Sequence, residues 1–257
     1  MKKILCMFLC LMLLTGCSSS DPVKKPAPID EDDATSEIPK EESMQAKEAA
    51  KGAEVSMVDG KKVLKNPDST LVLVNKENAL PDNWAPTDLV APKVAFSFKE
   101  DHPRRYLRKE AAEALEALFS KAKEESIILY GVSGYRPFDT QKRIYNNEVN
   151  QVGEEEAKKN VAIPGYSEHQ TGLCIDVSSE DMDFLLKEEF EDTKEGKWLA
   201  DNAKDFGFII RYPKDKVSIT GYNYEPWHIR YVGVEAANFI VSHNITFDEY
   251  YTEVAKK

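Results

Sequence analysis

The sequence predicts an α+β fold, with a small antiparallel central sheet flanked by helices. Short apolar runs of strand character are mixed irregularly with longer segments of helical periodicity, and this order disfavours a doubly wound parallel sheet. The chain has 257 residues, and roughly the last 205 are enough for one domain with a single core. No internal repeat divides that region, so a single domain is expected over residues 53–257.

The predicted elements begin with strands and a long helix. Residues 55–74 are predicted as short strands with turns at Asp59-Gly60 and Asn66-Pro67-Asp68, since such residues are typical of tight turns. In residues 104–124 apolar side chains recur at helical spacing between lysines and glutamates, which predicts a helix. The compact apolar run that follows predicts a strand at residues 126–132.

Further elements are predicted towards the C-terminus. Asp139 is a suitable N-cap for a helix that ends near residue 149. Leu173, Ile175 and Val177 alternate as they would on a strand whose opposite face carries Asp176. The remaining predicted elements are a helix near 196–205, strands at 208–212 and 227–232, and helices at 234–241 and 247–254.

Residues 1–16 have the organisation of a secretion signal. Lys2 and Lys3 precede an apolar run at residues 4–14, which is too short to span a bilayer permanently and has the proportions of a signal-peptide core. The small residues before Cys17 resemble the bacterial lipoprotein processing signal. We therefore expect lipid on Cys17 and a protein anchored on the extracytoplasmic face of the cell membrane. The alternative is an ordinary signal peptide, with Cys17 incidental.

Residues 17–52 are expected to form a disordered tether. They contain four prolines and an acidic cluster at residues 30–33 but almost no aliphatic periodicity, so they bury too little apolar surface to offset the entropy of ordering. About 35 flexible residues reach roughly 30–35 Å. Besides Cys17, the mature chain keeps a single cysteine, Cys174, which excludes an intramolecular disulfide.

The charge of the chain limits its partners. The formal net charge is −11, and losing Lys2 and Lys3 with the signal makes it more negative. An acidic surface binds nucleic acid and anionic membranes poorly. We therefore expect no nucleic-acid partner, and attachment to the membrane through several acyl chains rather than through surface charge.

Two histidines and an aspartate form a candidate metal site. His169, Asp176 and His228 offer two imidazoles and one carboxylate, a set that suits a hydrolytic zinc ion with one open position. Glu225 lies three residues before His228, where a carboxylate would take a proton from water and pass it to a leaving amine. Each residue alone is commonly an ordinary surface or turn residue, and it is their combination that indicates a site.

Arg136 is the candidate for holding a substrate carboxylate, because a guanidinium meets a carboxylate through two parallel hydrogen bonds. An enzyme that trims one terminal residue has to hold that group, so Arg136 favours a carboxypeptidase over an endopeptidase. The alternative is a surface ion pair in this highly charged chain. Candidates for lining the pocket, or for ordinary packing, are Trp227, Tyr135, Tyr166 and Tyr212.

Three segments carry these residues and resemble the motifs of the D-Ala-D-Ala metallocarboxypeptidases of the VanY and LdcB type, over about residues 71–251. The segments are Ser133-Gly134-Tyr135-Arg136 with Gln141 beyond it, Ser167-Glu168-His169 through Gly172 to Asp176, and Glu225-Pro226-Trp227-His228. The resemblance implies one zinc ion. The site residues that it implies are the ligands His169, Asp176 and His228, the general base Glu225, and the carboxylate-site residues Arg136, Gln141 and Ser167.

The resemblance further implies a zinc-dependent carboxypeptidase that removes the C-terminal D-alanine from peptidoglycan stem peptides during cell-wall remodelling. Its partners would be these stem peptides and the membrane, and the chain is expected to be a monomer. A D,D specificity (pentapeptide to tetrapeptide) and an L,D specificity (tetrapeptide to tripeptide) both release D-alanine. Overall likeness to the LdcB type slightly favours the L,D specificity.

Cys174 departs from the family pattern, which usually has alanine at this position. A thiolate ligand would fill the fourth position and turn an open site into a closed structural one. A residue two positions from Asp176 on the same strand would strain to reach the same ion. Cys174 is therefore expected to be a small buried filler.

Three other functions fit parts of the sequence. A non-catalytic, zinc-containing module that binds wall peptide would have no need of Glu225. Non-haem iron oxygenases use the same ligand types, but their first two ligands are usually one residue apart, whereas six residues separate His169 from Asp176. Ser120 and Lys123 fit the S-x-x-K pattern of penicillin-sensitive serine carboxypeptidases, but the sequence has no K-T-G partner.

Overall fold

The computed structural model describes residues 51–254. The predicted signal peptide, Cys17 and nearly all of the tether predicted at residues 17–52 lie outside the described residues. Within residues 51–254, no helix combines the length and the apolar character needed to cross a membrane. The described region mixes short strands and helices in the irregular order that the sequence predicts, so the α+β class is confirmed.

Short strands form three small sheets in this region. Strands β1 and β2 form an antiparallel hairpin to which β3 adds in parallel, β4 pairs with β5, and the central sheet has the order β6-β7-β9-β8 with every pair antiparallel. The predicted antiparallel central sheet is therefore confirmed. The strands are β1 (Val55–Val58), β2 (Lys61–Leu64), β3 (Asn78–Ala79), β4 (Leu89–Val90), β5 (Leu107–Arg108), β6 (Tyr130–Ser133), β7 (Cys174–Ser178), β8 (Phe208–Ile210) and β9 (His228–Tyr231).

The register between β7 and β9 positions the predicted site. Asp176 is the direct partner of His228, and Cys174 is the partner of Arg230. Directly opposed residues on antiparallel strands share a face, with Cβ atoms about 4.5–5.5 Å apart. Two residues 52 positions apart in sequence are thereby brought into contact. All five residues of β7 and three of the four residues of β9 are buried, so this pair is enclosed on both strands.

Helices pack around the sheets. Helix α1 turns Ala111, Leu115 and Leu118 fully inward, at the spacing expected of one helix face, and these residues share a core with Leu173 and Ile175 from the β7 region. The α-helices of the described region are α1 (Lys109–Glu124), α2 (Phe138–Val152), α3 (Glu154–Asn160), α4 (Lys194–Asn202), α5 (Val217–Thr220), α6 (Val234–Ser242) and α7 (Phe247–Val254).

Two elements begin four or more residues after the predicted position. Helix α1 begins at Lys109 rather than near residue 104, because Pro103–Arg105 forms a separate 3₁₀ turn and β5 pairs with β4 before the helix starts. Strand β6 begins at Tyr130 rather than at residue 126. The chain first closes α1 with Ser126 in a left-handed conformation (φ 63°) and an Ile127 N–H···O bond to Ala122 of 2.9 Å, as helix C-termini commonly do.

The cap of α2 is also different from the prediction. Pro137 occupies the N-cap position, and Asp139 lies within the first turn. A carboxylate there still complements the positive end of the helix dipole, but Asp139 is not the cap. The Asp59-Gly60 turn, in contrast, is confirmed: both residues have positive φ (49° and 78°), as a two-residue hairpin loop requires.

Candidate active site

The two predicted imidazoles and the aspartate converge beside the central sheet. Asp176 and His228 are cross-strand partners, and His169 lies in the 3₁₀ turn that leads into β7. Gly172 follows with a left-handed φ of +65°, and a Cβ atom there would lie 2.8 Å from Leu89 Cδ2. Glycine is therefore needed at the end of the turn that carries His169, where the chain passes into β7. All three candidate ligands are buried.

His169 is held in one tautomer by a backbone carbonyl. Its Nδ1 lies 2.8 Å from the Gly134 oxygen, which only accepts, so Nδ1 carries the proton and Nε2 keeps its lone pair. Nε2 faces Asp176 Oδ2 at 3.5 Å. Burial and the nearby Arg136 guanidinium lower the pKa of His169 to about 3, so this imidazole is neutral at pH 7, the form that binds metals.

His228 is fixed by a carboxylate instead. Its Nε2 lies 3.4 Å from Glu168 Oε2, and its Nδ1 lies 3.0 Å from Asp176 Oδ1. Burial alone would raise the pKa of Glu168, but the guanidiniums of Arg211 and Arg230 hold it well below its usual range. Glu168 is therefore an ionised acceptor for Nε2–H, and Nδ1 is the His228 atom that faces Asp176.

This set of donor atoms fits a zinc ion. Two electron-rich atoms such as His228 Nδ1 and Asp176 Oδ1 repel each other at 3.0 Å unless a proton or a metal ion lies beside them. Zinc ligands at about 2.0–2.2 Å in a tetrahedron are about 3.3–3.6 Å apart; the distance of 3.5 Å falls in this range and that of 3.0 Å is slightly shorter. Burial opposes charge on His228, yet the acidic groups around it raise its pKa well above the ordinary value, so this position favours a positive charge.

Cys174 contributes a sulfur atom to the same neighbourhood. His169, Cys174 and His228 each offer one possible ligand atom, and these three atoms lie within 4.8 Å of one another. Burial raises the pKa of the Cys174 thiol, which opposes the thiolate form that binds metal. The two possible sets share both imidazoles and differ in the third ligand, Asp176 or Cys174.

Glu225 lies beside the imidazoles without belonging to either set. Its Oε2 is 3.8 Å from His228 Nδ1, and 26% of its side chain is exposed. Burial, with a smaller contribution from Asp176, raises the pKa of Glu225 to about 7 against the opposing effect of His228. A carboxylate whose pKa is close to the working pH is well matched to accepting and returning a proton.

Arg136 is oriented by contacts on several sides. Its backbone N–H donates to the His169 carbonyl at 3.0 Å, and its guanidinium donates to Gln141 Oε1 at 2.9 Å and to Ser133 Oγ at 3.4 Å. In the described part of the chain, no carboxylate forms an ion pair with Arg136. The alternative interpretation, a surface ion pair, therefore finds no support among these residues.

Gln141 lies behind Arg136 rather than in the pocket. It is fully buried, its Oε1 accepts from Arg136, and its Nε2 donates to the Ala162 carbonyl at 2.7 Å. Gln141 is not among the residues that line the cavity beside Arg136, so its amide does not face a substrate there. Its position supports a role in orienting Arg136, which differs from the direct contact that the resemblance implied.

One cavity of about 260 Å³ brings the other predicted residues together. Of the four aromatic candidates, Trp227 and Tyr212 line this cavity, whereas Tyr135 and Tyr166 line other cavities. The predicted site residues in its wall are Arg136, Ser167, His169, Asp176, Glu225, Trp227 and His228.

Sequence reasoning missed three charged residues next to the site. Glu168 occupies the position between Ser167 and His169, to which the motif gives no role. Arg211 and Arg230 interrupt the apolar runs of the strand predictions at residues 208–212 and 227–232. A charge inside an otherwise apolar strand is a signal of a buried partner, because lone charges are rarely buried.

An α+β fold that presents two imidazoles, carboxylates and a guanidinium to one cavity is typical of a metal-dependent hydrolase that holds an anionic substrate. Comparison with known proteins defines the class further. Residues 104–234 match the family described as VanY: D-alanyl-D-alanine carboxypeptidase. The chain therefore belongs to the VanY family of carboxypeptidases, and the resemblance seen in the motifs is confirmed.

Individual relatives agree with this assignment. "Putative carboxypeptidase YodJ" of Bacillus subtilis (strain 168) is 53% identical over 203 residues, which cover 79% of this chain and 74% of that protein. The structure of the LdcB LD-carboxypeptidase is 53% identical, with a TM-score of 0.76 over 77% of this chain and 93% of the other. A vancomycin-resistance D,D-pentapeptidase, VanY, in complex with Zn(II) is 31% identical, with a TM-score of 0.57 over 70% of this chain and 98% of the other.

Proposed function

We propose that this carboxypeptidase removes the C-terminal D-alanine from peptidoglycan stem peptides, with one zinc ion held by His169, Asp176 and His228. The observation that carries the proposal is the meeting of these three residues, Glu225 and Arg136 in the wall of one cavity. A metal set with a nearby carboxylate supports peptide hydrolysis. A guanidinium without an acidic partner among the described residues supports capture of a terminal carboxylate.

The protein's own groups have distinct tasks in this reaction. Arg136, steadied by Gln141 and Ser133, binds the terminal carboxylate and thereby places the scissile carbonyl near the imidazoles. Glu225 accepts a proton from the attacking water and returns it to the leaving amine of D-alanine. A bound zinc ion supplies Lewis acidity that polarises the carbonyl and lowers the pKa of water.

We further propose L,D specificity, cleaving a tetrapeptide stem to a tripeptide. The support is the degree of likeness: 53% identity to the LdcB LD-carboxypeptidase against 31% to the D,D-pentapeptidase VanY. The alternative, pentapeptide to tetrapeptide, releases the same amino acid, so measuring D-alanine alone does not separate the two specificities.

The test offers tripeptide, tetrapeptide and pentapeptide stems to the purified protein, with and without a chelator, and identifies the products by mass. We expect D-alanine and tripeptide from the tetrapeptide, no change in the tripeptide, and loss of all activity with the chelator until zinc is restored. Release of D-alanine from none of the stems by zinc-loaded protein would contradict the proposal and favour a non-catalytic module that binds wall peptide.

Replacing Cys174 with alanine distinguishes the two possible ligand sets. If Asp176 is the third ligand, Cys174→Ala should keep its zinc and its kcat/KM within about threefold, with a loss of about 1 kcal/mol in the free energy of unfolding from the small cavity. Asp176→Asn is the matched variant and should lose zinc. The checks are zinc content and D-alanine release. Zinc loss in Cys174→Ala but not in Asp176→Asn would assign the third ligand to the thiol.

The anchor is a separate part of the proposal. We propose that Cys17 carries lipid, that residues 17–52 tether the domain, and that the monomer works on the extracytoplasmic face of the membrane. The support is the order of residues 1–17: two lysines, an apolar run and small residues before a cysteine. Incorporation of a labelled fatty acid that is abolished in Cys17→Ala would support it, whereas equal labelling of both proteins would contradict it.

A further inference from the structure

Glu168 lies at the centre of a buried cluster of charged side chains that contacts His228. Its Oε1 accepts hydrogen bonds from Arg211 Nε at 2.7 Å and from Arg230 Nη1 at 2.8 Å. Its Oε2 faces Nε2 of His228 at 3.4 Å. Glu168, Arg211 and Arg230 are each at most 2% exposed, so these contacts are made away from solvent.

The rest of the cluster fixes the two arginines. Arg211 Nη1 donates to Asp248 Oδ2 at 2.6 Å, which balances the second positive charge with a second carboxylate. Arg230 Nη2 donates to the carbonyls of Thr70 and Val72 at 3.0 Å and 2.9 Å. Residues from distant parts of the sequence thereby hold one carboxylate, that of Glu168, in place.

A cluster of this kind is weak evidence for stability by itself. Replacing buried ion pairs with apolar side chains of similar volume is often neutral or stabilising, because the desolvation of the charges offsets their attraction. We therefore looked for a role of the cluster other than stability. The contact of Glu168 with the imidazole of His228 indicates such a role.

We propose that Glu168 is a positioning residue that accepts the Nε2–H of His228 and so fixes the tautomer and ring orientation that present Nδ1 to the zinc ion. This inference rests on the proposed function. A neutral imidazole with its proton on Nε2 has its lone pair on Nδ1, and Nδ1 is the atom that faces Asp176 at 3.0 Å. Carboxylates that hydrogen-bond a metal-binding histidine in this way also make it a more basic ligand.

The two proposed imidazole ligands are thus oriented by different partners. His169 has a backbone carbonyl, that of Gly134, at 2.8 Å, whereas His228 has the side-chain carboxyl group of Glu168 at 3.4 Å. A carbonyl of the main chain cannot be removed by substitution, but Glu168 can. The arrangement therefore predicts that the zinc affinity of the site depends on a residue that does not itself bind the ion.

The test compares Glu168→Gln with Asp248→Asn in the full chain. Glutamine has one acceptor oxygen for three donors, so either an arginine or His228 loses its partner. We expect Glu168→Gln to raise the zinc dissociation constant, measured by competition with a chelator, about 10- to 100-fold. Asp248→Asn removes a carboxylate of the same cluster that does not touch His228. We expect it to lower the melting temperature but to leave zinc affinity within about threefold, because the contact between Glu168 and His228 stays in place.

Equal zinc affinity in Glu168→Gln and the wild type would overturn the inference, and so would an equal loss in Asp248→Asn, which would mean that the cluster acts on fold stability alone. If Glu168→Gln does not fold, Glu168→Asp serves in its place. It keeps the charge for the arginines but is one methylene too short for His228, so it should lose zinc affinity as well. A wild-type protein that binds no zinc would contradict the proposed function instead.

Discussion

Replacing Glu225 with glutamine should lower kcat by about 100- to 10,000-fold, the contribution of a positioned general base, while zinc stays bound. Glutamine has nearly the same shape but cannot take a proton from the attacking water. The Glu225 carboxylate lies 3.8 Å from His228 Nδ1 and is not one of the three proposed ligands, so the substitution leaves those ligands in place. The measurements are the rate of D-alanine release at saturating peptide and the zinc content of the same sample.

A matched control is Glu77→Gln. Glu77 forms an exposed ion pair with Lys62 at 2.7 Å and does not line the cavity that contains Glu225, so its loss should leave kcat close to the wild-type value. Wild-type turnover in Glu225→Gln would show that another group is the base. An inactive variant without zinc would show instead that Glu225 supports the metal site.

Replacing Arg136 with methionine should lower kcat/KM by about 100-fold for peptides with a free terminal carboxylate. A hydrogen bond to a charged group contributes about 1.5–3 kcal/mol, and the upper part of that range corresponds to about 100-fold. The wild type should discriminate against the same peptide with an amidated C-terminus by a similar factor. The variant should cleave both peptides at nearly the same low rate, so the measurement is the ratio of the two kcat/KM values.

Arg143→Met is the control for Arg136→Met. Arg143 is exposed on the same helix that carries Gln141, and it donates to the Thr140 hydroxyl at 3.3 Å. Its loss should leave the discrimination between acid and amide unchanged. If Arg136→Met slows both peptides equally and keeps the wild-type ratio, Arg136 supports the cavity wall and another group holds the carboxylate.

Much of the site is predictable from sequence because its chemistry is local. His169 and Asp176 lie seven positions apart across one turn, and Glu225 and His228 lie three apart, so spacing alone places each pair in one neighbourhood. Alternation along β7 correctly predicts a strand at the aspartate. What joins the two pairs is the register of β7 with β9, which no local pattern specifies.

The parts that sequence reasoning missed depend on tertiary contacts. Strands of two residues, such as β4 and β5, are too short for any alternation to be visible. The role of Gln141 follows from a hydrogen bond to the Ala162 carbonyl, 21 positions away. The burial of Glu168 depends on hydrogen bonds from Arg211 and Arg230, which are 43 and 62 positions away. Propensity and spacing carry no information at those separations.

The contacts of Arg211 and Arg230 limit how far the chain can be shortened without disturbing the fold. The segment that matches the family spans residues 104–234, yet Arg230 donates to the carbonyls of Thr70 and Val72, and Arg211 to the carboxylate of Asp248. An expression fragment trimmed to the matching segment would lose these acceptors, and each hydrogen bond to a charged group contributes about 1.5–3 kcal/mol. The smallest autonomous unit therefore extends past both edges of the recognisable homology, from about residue 70 to the last helix.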